Sequence, residues 1–191
     1  MEFRFATRAD SRALLAIYAQ YMDTPVTFEY VLPSEEAFAG RIADISAVYP
    51  YLVCEDAGRI LGYAYAHRLF ERTAYQWDAE LSIYLDKSAV SRGLGKRMYK
   101  MLMEILALQG VKTVYGIVTV PNEKSERLHE RFGFRRMGTL ENTGYKDGWH
   151  NVAWFEKPLA SYDGKPQPIT PVGELKKEEV DAVLRKYEAE P

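Results

Sequence analysis

Between a β-prone run ending at Leu85 and a helical pattern opening at Gly95, the chain reads Ser91-Arg92-Gly93-Leu94-Gly95-Lys96-Arg97. Two glycines at a strand-to-helix junction let backbone N–H groups turn toward a ligand with no Cβ in the way. The helix start contributes roughly half a positive charge, and Arg92, Lys96 and Arg97 add local cations. The chemistry implied is capture of an anion the size of a pyrophosphate. Two nucleotide motifs fail letter by letter. A dinucleotide fingerprint needs a third glycine where Met98 stands, and a P-loop needs Ser or Thr where Arg97 stands. A second reactive group lies upstream: Glu80 opens the run Leu81-Ser82-Ile83-Tyr84-Leu85, and strand alternation puts its carboxylate on the face opposite Leu81. His129 and His150 are the imidazoles with a chemical claim, since histidine titrates near neutrality. Cys54, the single cysteine, sits in the apolar run Tyr51-Leu52-Val53-Cys54 and reads as a small buried hydrophobe.

These residues need a scaffold, and the rest of the sequence supplies one. Residues 3–6 form a short strand, Thr7 to Ser11 offer caps, and Leu14, Leu15, Ile17, Tyr18 and Tyr21 recur at helical spacing. Ser34-Glu35-Glu36 starts a second helix bearing Phe38, Ile42 and Ile45. Asp56-Ala57-Gly58-Arg59 joins Tyr51–Glu55 to Ile60–His67 as a hairpin. Glu80–Leu85, the helix from Gly95 to Gly110 and Val111–Thr119 make a βαβ unit. A helix over Asn122–Arg131 and strands over Phe134–Leu140 and His150–Pro158, joined through Asn142 to Gly148, complete the pattern. The fold class is α/β with a mixed central sheet flanked by helices.

At 191 residues, one domain is expected. It covers 1–160, while 161–191 read as a Pro- and Gly-bearing linker and a charged amphipathic helix over Leu175–Tyr187. With 25 Lys and Arg against 27 Asp and Glu, the net charge of −2 gives no general drive toward nucleic acid or an anionic membrane. The N-terminus lacks an apolar signal core and no apolar run is long enough to span a bilayer, so a cytoplasmic protein is expected. No metal is expected.

The order of parts is specific. A strand with Glu80, the glycine turn, a helix and a second strand lead into Pro121-Asn122-Glu123-Lys124-Ser125-Glu126-Arg127-Leu128-His129-Glu130-Arg131-Phe132-Gly133-Phe134. Together these resemble the GNAT superfamily of acyl-CoA-dependent acetyltransferases, whose cofactor motif is Gln/Arg-x-x-Gly-x-Gly/Ala. Within it the chain resembles the phosphinothricin acetyltransferase group, through Arg72-Thr73-Ala74-Tyr75-Gln76-Trp77, Glu80, Asn122-x-x-Ser125, Leu128-His129-Glu130 and Gly144-Tyr145-Lys146-x-Gly148-Trp149. The likeness runs from about residue 3 to 159. Its first motif position falls on Val90 rather than Gln or Arg, which shifts the expected grip to the backbone and Arg92.

The resemblance implies acetyl-CoA as acyl donor and a parallel strand pair splayed at Tyr84. Ile83, Tyr84 and Leu85 would meet the pantetheine arm; Ser91, Arg92, Gly93, Leu94, Gly95, Lys96 and Arg97 the pyrophosphate; and Asn122 and Ser125 the rest of the cofactor. It implies Glu80 as general base and Phe28, Arg72, Tyr75, Lys146 and Trp149 around the acceptor. Arg72 suits an amino-acid carboxylate, so the expected partner is a small carboxylate-bearing amine. Many relatives use a Tyr in the second conserved helix as general acid; here that place carries His129 and no Tyr. His129 and His150 are both chemically able to act, and His150 is taken as the catalytic candidate. A sensing domain that binds acyl-CoA with little turnover, and a peptide or protein acetyltransferase, are the alternatives. A homodimer is expected by the same resemblance.

Overall fold

The computed structural model describes residues 1–90 and 93–188. Its elements are β1 (Glu2–Phe5), α1 (Ser11–Ala19), α2 (Glu35–Ser46), β2 (Tyr51–Asp56), β3 (Arg59–Arg68), β4 (Asp78–Leu85), α3 (Leu94–Gln109), β5 (Thr113–Val120), α4 (Glu123–Arg131), β6 (Arg135–Tyr145), β7 (Trp149–Pro158) and α5 (Lys177–Glu188). The strands form one sheet in the order β1-β2-β3-β4-β5-β7-β6. Only β4 and β5 run parallel, because α3 carries the chain back across the sheet between them.

Alternation along the strands sorts two cores. Tyr51, Val53 and Tyr63 pack with Leu14, Ile17 and Tyr18 of α1 and Phe38 and Ile42 of α2. On the opposite face, Leu52, Cys54, Ala64, Ala66, Ala79 and Leu81 meet Met98, Leu102 and Ile105 of α3. Glu80 is out of phase with Leu81 and so stands on the α1–α2 side. The β2–β3 turn has Ala57 (φ 49°) and Gly58 (φ 77°) both left-handed, as a two-residue hairpin requires, and only Gly58 does so with no Cβ in the way.

Two expectations shift. The connection expected over Asn142–Gly148 shrinks to Lys146–Gly148, because Glu141–Tyr145 continues β6. The turn is made by Asp147 (φ 54°) and Gly148, while Asn142 (φ 50°) falls where the β6–β7 register slips. The parallel pair also parts earlier than Tyr84. Its last paired residues are Glu80 and Tyr115, so the strands are already open at Leu81.

The chain after β7 lies along the body of the domain. Tyr162 bonds Thr113 through its hydroxyl at 2.9 Å, Trp77 Nε1 donates to the Gln167 carbonyl at 2.7 Å, and buried Gln109 donates to the carbonyls of Val48 and Thr170. Val180, Val183 and Tyr187 of α5 then join the same core as α3. Among the described residues no helix is long and apolar enough to cross a membrane.

Candidate active site

The bonds from Asp86 N–H to the Leu61 carbonyl (2.9 Å) and from Leu69 N–H to the Asp78 carbonyl (3.5 Å) fix the phase of β4. Even-numbered residues spend their backbone groups on β3, so Leu81, Ile83 and Leu85 turn theirs toward β5. Since β5 stops pairing at Tyr115, these groups face a slot rather than a strand, and an amide-bearing chain can bond there as a peptide does in β-augmentation. Leu85 is partly committed, as its carbonyl accepts the Tyr21 hydroxyl at 2.6 Å.

A cavity of about 80 Å³ occupies this slot, walled by Leu81, Ser82, Ile83 and Tyr84 of β4, Ile117, Val118 and Thr119 of β5, and Asn122 and Ser125 at the start of α4. Asn122 caps α4: its side-chain oxygen accepts from Ser125 N–H at 3.2 Å, leaving its amide hydrogens for the slot. At the mouth, Gly93 is left-handed (φ 77°) and α3 begins immediately after it. A Cβ built on Gly95 would make ordinary contact with Ile83 and Leu85 at 3.4 and 3.7 Å. The fold itself would therefore accept alanine there, and the bare backbone suits close approach of a ligand to the helix start.

Lys96 is exposed at that start, but Arg97 is not available to it. The Arg97 guanidinium is buried 5.3 Å from the Phe3 ring and donates to the Tyr187 carbonyl at 3.4 Å, toward β1 and α5. Ser91 and Arg92 lie outside the described residues.

The slot also holds two side chains whose pairing the motif spacing does not reveal. Tyr99 of α3 and His129 of α4 both line it. His129 Nδ1 lies 2.8 Å from the Ser125 carbonyl and must carry the hydrogen of that bond. Burial pushes its pKa down, so the ring is neutral and Nε2 accepts from the Tyr99 hydroxyl at 3.3 Å. Tyr99 was hidden in the sequence because it reads as one more apolar position of an amphipathic helix.

On the other face, Glu80 stands at the root of the slot with His67 Nε2 at 3.6 Å. Burial raises its pKa above the ordinary carboxylate range and His67 opposes that rise. His67 Nδ1 donates to the Arg68 carbonyl at 3.0 Å, so the edge facing Glu80 bears a hydrogen only when the ring is charged.

The residues expected around the acceptor fall into two groups. Phe28, Lys146, Trp149 and His150 meet where the α1–α2 loop touches the β6–β7 turn. Lys146, buried, donates from Nζ to the carbonyls of Thr27 and Glu29, both at 2.9 Å. Phe28 lies over Gly144 and 6.2 Å from the His150 ring, and His150 Nε2 donates to the Lys146 carbonyl at 2.8 Å. Trp149 is exposed against Tyr145. Lys146 and His150 therefore hold the loop rather than line the slot. Arg72 and Tyr75 form the second group, exposed on the β3–β4 connection with Tyr75 against Phe70.

Comparison with known proteins adds ancestry to this geometry. Residues 3–157 match the acetyltransferase (GNAT) domain family. A phosphinothricin N-acetyltransferase of Streptomyces viridochromogenes is 33% identical over 177 residues, 92% of this chain and 96% of that protein. An L-methionine sulfoximine/L-methionine sulfone acetyltransferase of Pseudomonas paraeruginosa is 31% identical over 162 residues, 82% of this chain and 93% of that one. A crystal structure of a GNAT superfamily phosphinothricin acetyltransferase from Sinorhizobium meliloti in complex with acetyl-CoA superposes with a TM-score of 0.84 at 33% identity, over 91% of this chain and 96% of that chain.

Proposed function

The chain belongs to the GNAT N-acetyltransferases, which use acetyl-CoA, and from that premise we propose that it acetylates the primary amine of a small carboxylate-bearing acceptor. Glu80 is the base, and Tyr99, braced by His129, is the hydrogen-bond donor to the departing sulfur. One observation carries the reading: Glu80 and the Tyr99–His129 pair stand on opposite faces of the sheet at the place where β4 and β5 part.

The thioester supplies the acyl group, and the protein has three tasks. The first is holding the donor. The inward backbone groups of Ile83 and Leu85, beside Tyr84, take the amide arm; Asn122 and Ser125 flank it; and the start of α3 at Gly93, Leu94, Gly95 and Lys96 takes the pyrophosphate. The second is freeing the amine. A lysine-type amine has a pKa near 10.4 and an α-amine about 7.7–8.0, so an acceptor arriving as ammonium must lose a proton before or during attack. A carboxylate raised by burial toward neutrality accepts it better than an ordinary one. The third is easing the sulfur away as its bond to the acyl carbon breaks. A hydroxyl inside a low-dielectric slot stabilises the charge that develops there. A hydrogen bond to a charged partner contributes about 1.5–3 kcal/mol, so Tyr99→Phe should lower turnover roughly ten- to hundredfold with little change in acetyl-CoA affinity. Unchanged turnover in that variant would remove Tyr99 from the mechanism.

Phosphinothricin, methionine sulfoximine, methionine sulfone and other amino acids are the acceptors of choice, with Arg72 and Tyr75 toward the carboxylate end and Phe28 and Trp149 beside the chain. Thiol release from acetyl-CoA across these amines and a peptide with a free N-terminus tests the assignment. Release with the amino-acid-like amines supports it. Tight acetyl-CoA binding with no release would refute it in favour of a sensing role, and preference for the peptide would refute the acceptor class. A cytoplasmic homodimer is the proposed form. Exposed Tyr30, Val31, Tyr145 and Trp149 gather beside the acceptor loop, and light scattering reads the assembly.

A further inference from the structure

Strand β5 carries a glycine at its centre, Gly116, which weakens a strand because there is no side chain to pack. Backbone conformation does not require it, since its φ lies outside the left-handed range. Space does. A Cβ at Gly116 would stand 2.0 Å from Nε2, 2.5 Å from Cδ2 and 3.0 Å from Cε1 of His129. The imidazole has nowhere to retreat. It is stacked on Phe155 at 5.1 Å, meets the edges of Phe134 at 5.0 Å and Tyr99 at 5.5 Å, and is pinned through Nδ1 to Ser125.

A smaller apolar side chain at position 129 with a Cβ at position 116 would share this space and leave the strand without a glycine. The strand thus gives up a side chain to seat an imidazole hydrogen-bonded at both nitrogens, which points to function rather than packing. We infer that Gly116 is a positioning residue for acetyl transfer: its bare Cα admits His129 Nε2 to the floor of the slot and so fixes the Tyr99 hydroxyl beside the departing sulfur. This rests on the reading of Tyr99 given above.

The geometry explains why the pair is a restraint and not a sink for the hydroxyl hydrogen. With Nδ1 committed to Ser125, Nε2 of the neutral ring can only accept. Its bond to Tyr99 is long at 3.3 Å, so the hydrogen is held in place yet released cheaply when the sulfur becomes the stronger acceptor.

A double-mutant cycle separates positioning from catalysis. Gly116→Ala is made in the native chain and in His129→Ala, and stability, acetyl-CoA affinity and turnover are read in each. In the native background Gly116→Ala should lower turnover about tenfold or more at nearly unchanged acetyl-CoA affinity. It should also move the imidazole nitrogen NMR signals of His129, one of only three histidines in the chain. In the His129→Ala background the vacated space takes the new methyl, and Gly116→Ala should cost nothing further. Native turnover with unmoved His129 signals, or equal losses in both backgrounds, would overturn the inference. Should Gly116→Ala alone fail to fold, a double variant that folds and behaves like His129→Ala sustains it, and one that fails likewise overturns it. If the two sites couple in stability while every variant keeps full turnover, the packing holds, but both the positioning role and the Tyr99 reading are lost.

Discussion

Glu80→Gln is expected to lower turnover by about 10²–10⁴-fold while acetyl-CoA binds as before, the range a positioned general base contributes. The substitution keeps the shape of the side chain and removes only the ability to take a proton. Glu80 lies outside the slot wall that would hold the donor, so its loss should not register in acetyl-CoA affinity. The pH profile gives a second check. Burial holds the Glu80 carboxyl above its ordinary range, and the group works only when deprotonated. The rate should therefore climb as pH rises through that elevated value and then level off. In Glu80→Gln that acidic limb should vanish, leaving only the ionisation of the acceptor amine. Replacing His67 by Gln should move the limb upward, because His67 is the neighbour that lowers Glu80. Full turnover in Glu80→Gln, or a loss explained by weaker acetyl-CoA binding, would remove Glu80 as the base.

Some of the geometry around the slot is legible in the sequence alone, and the reason is local. Gly93 announces the helix start because glycine sits most easily at φ 77°. Gly58, between two β-prone runs, announces a hairpin because the turn needs a left-handed residue there, whereas nothing in the letters marks Ala57 for its φ of 49°. Glu80 is conspicuous as a charge opening an apolar strand. What escaped is set by contacts between distant segments. Tyr99 and His129 lie thirty residues apart, and one looks like ordinary core while the other looks like a helix-surface imidazole. Gly116 reads as a weak point in a strand until the ring that needs its space is known. Arg97 belongs to the basic run by sequence, yet helical rotation carries it to Phe3 and the end of α5. The β4–β5 opening at Leu81 rather than Tyr84 is likewise decided where pairing with β5 ceases, which no local pattern records.

A chain ending at Ala160 is expected to lose most of its stability and, with it, its grip on acetyl-CoA. The family match stops at residue 157, but the apolar core does not. Val180, Val183 and Tyr187 are buried in it with Phe3, Met98 and Leu102. Burying a side chain of this size contributes about 1.5–3 kcal/mol, an upper figure because unfolded chains are already partly compact. Three of them still approach the whole stability of a typical domain, about 5–15 kcal/mol. Polar losses add to this. Gln109, itself buried, would lose the Thr170 carbonyl, and Trp77 would lose its acceptor on Gln167. The Arg97 guanidinium would lose the Tyr187 carbonyl in the first turn of α3, the turn that opens with Gly93 and Leu94. Thermal melts with and without acetyl-CoA test both effects. The full chain should melt higher and rise further when acetyl-CoA is added, as mass action requires of a ligand that binds the folded state. The shortened chain should melt far lower and respond less. Tyr187→Ala should fall between them, since it opens a cavity in that core and removes the hydroxyl bonded to Glu104. If the shortened chain melts and turns over like the full one, α5 is a passenger and the core closes without it.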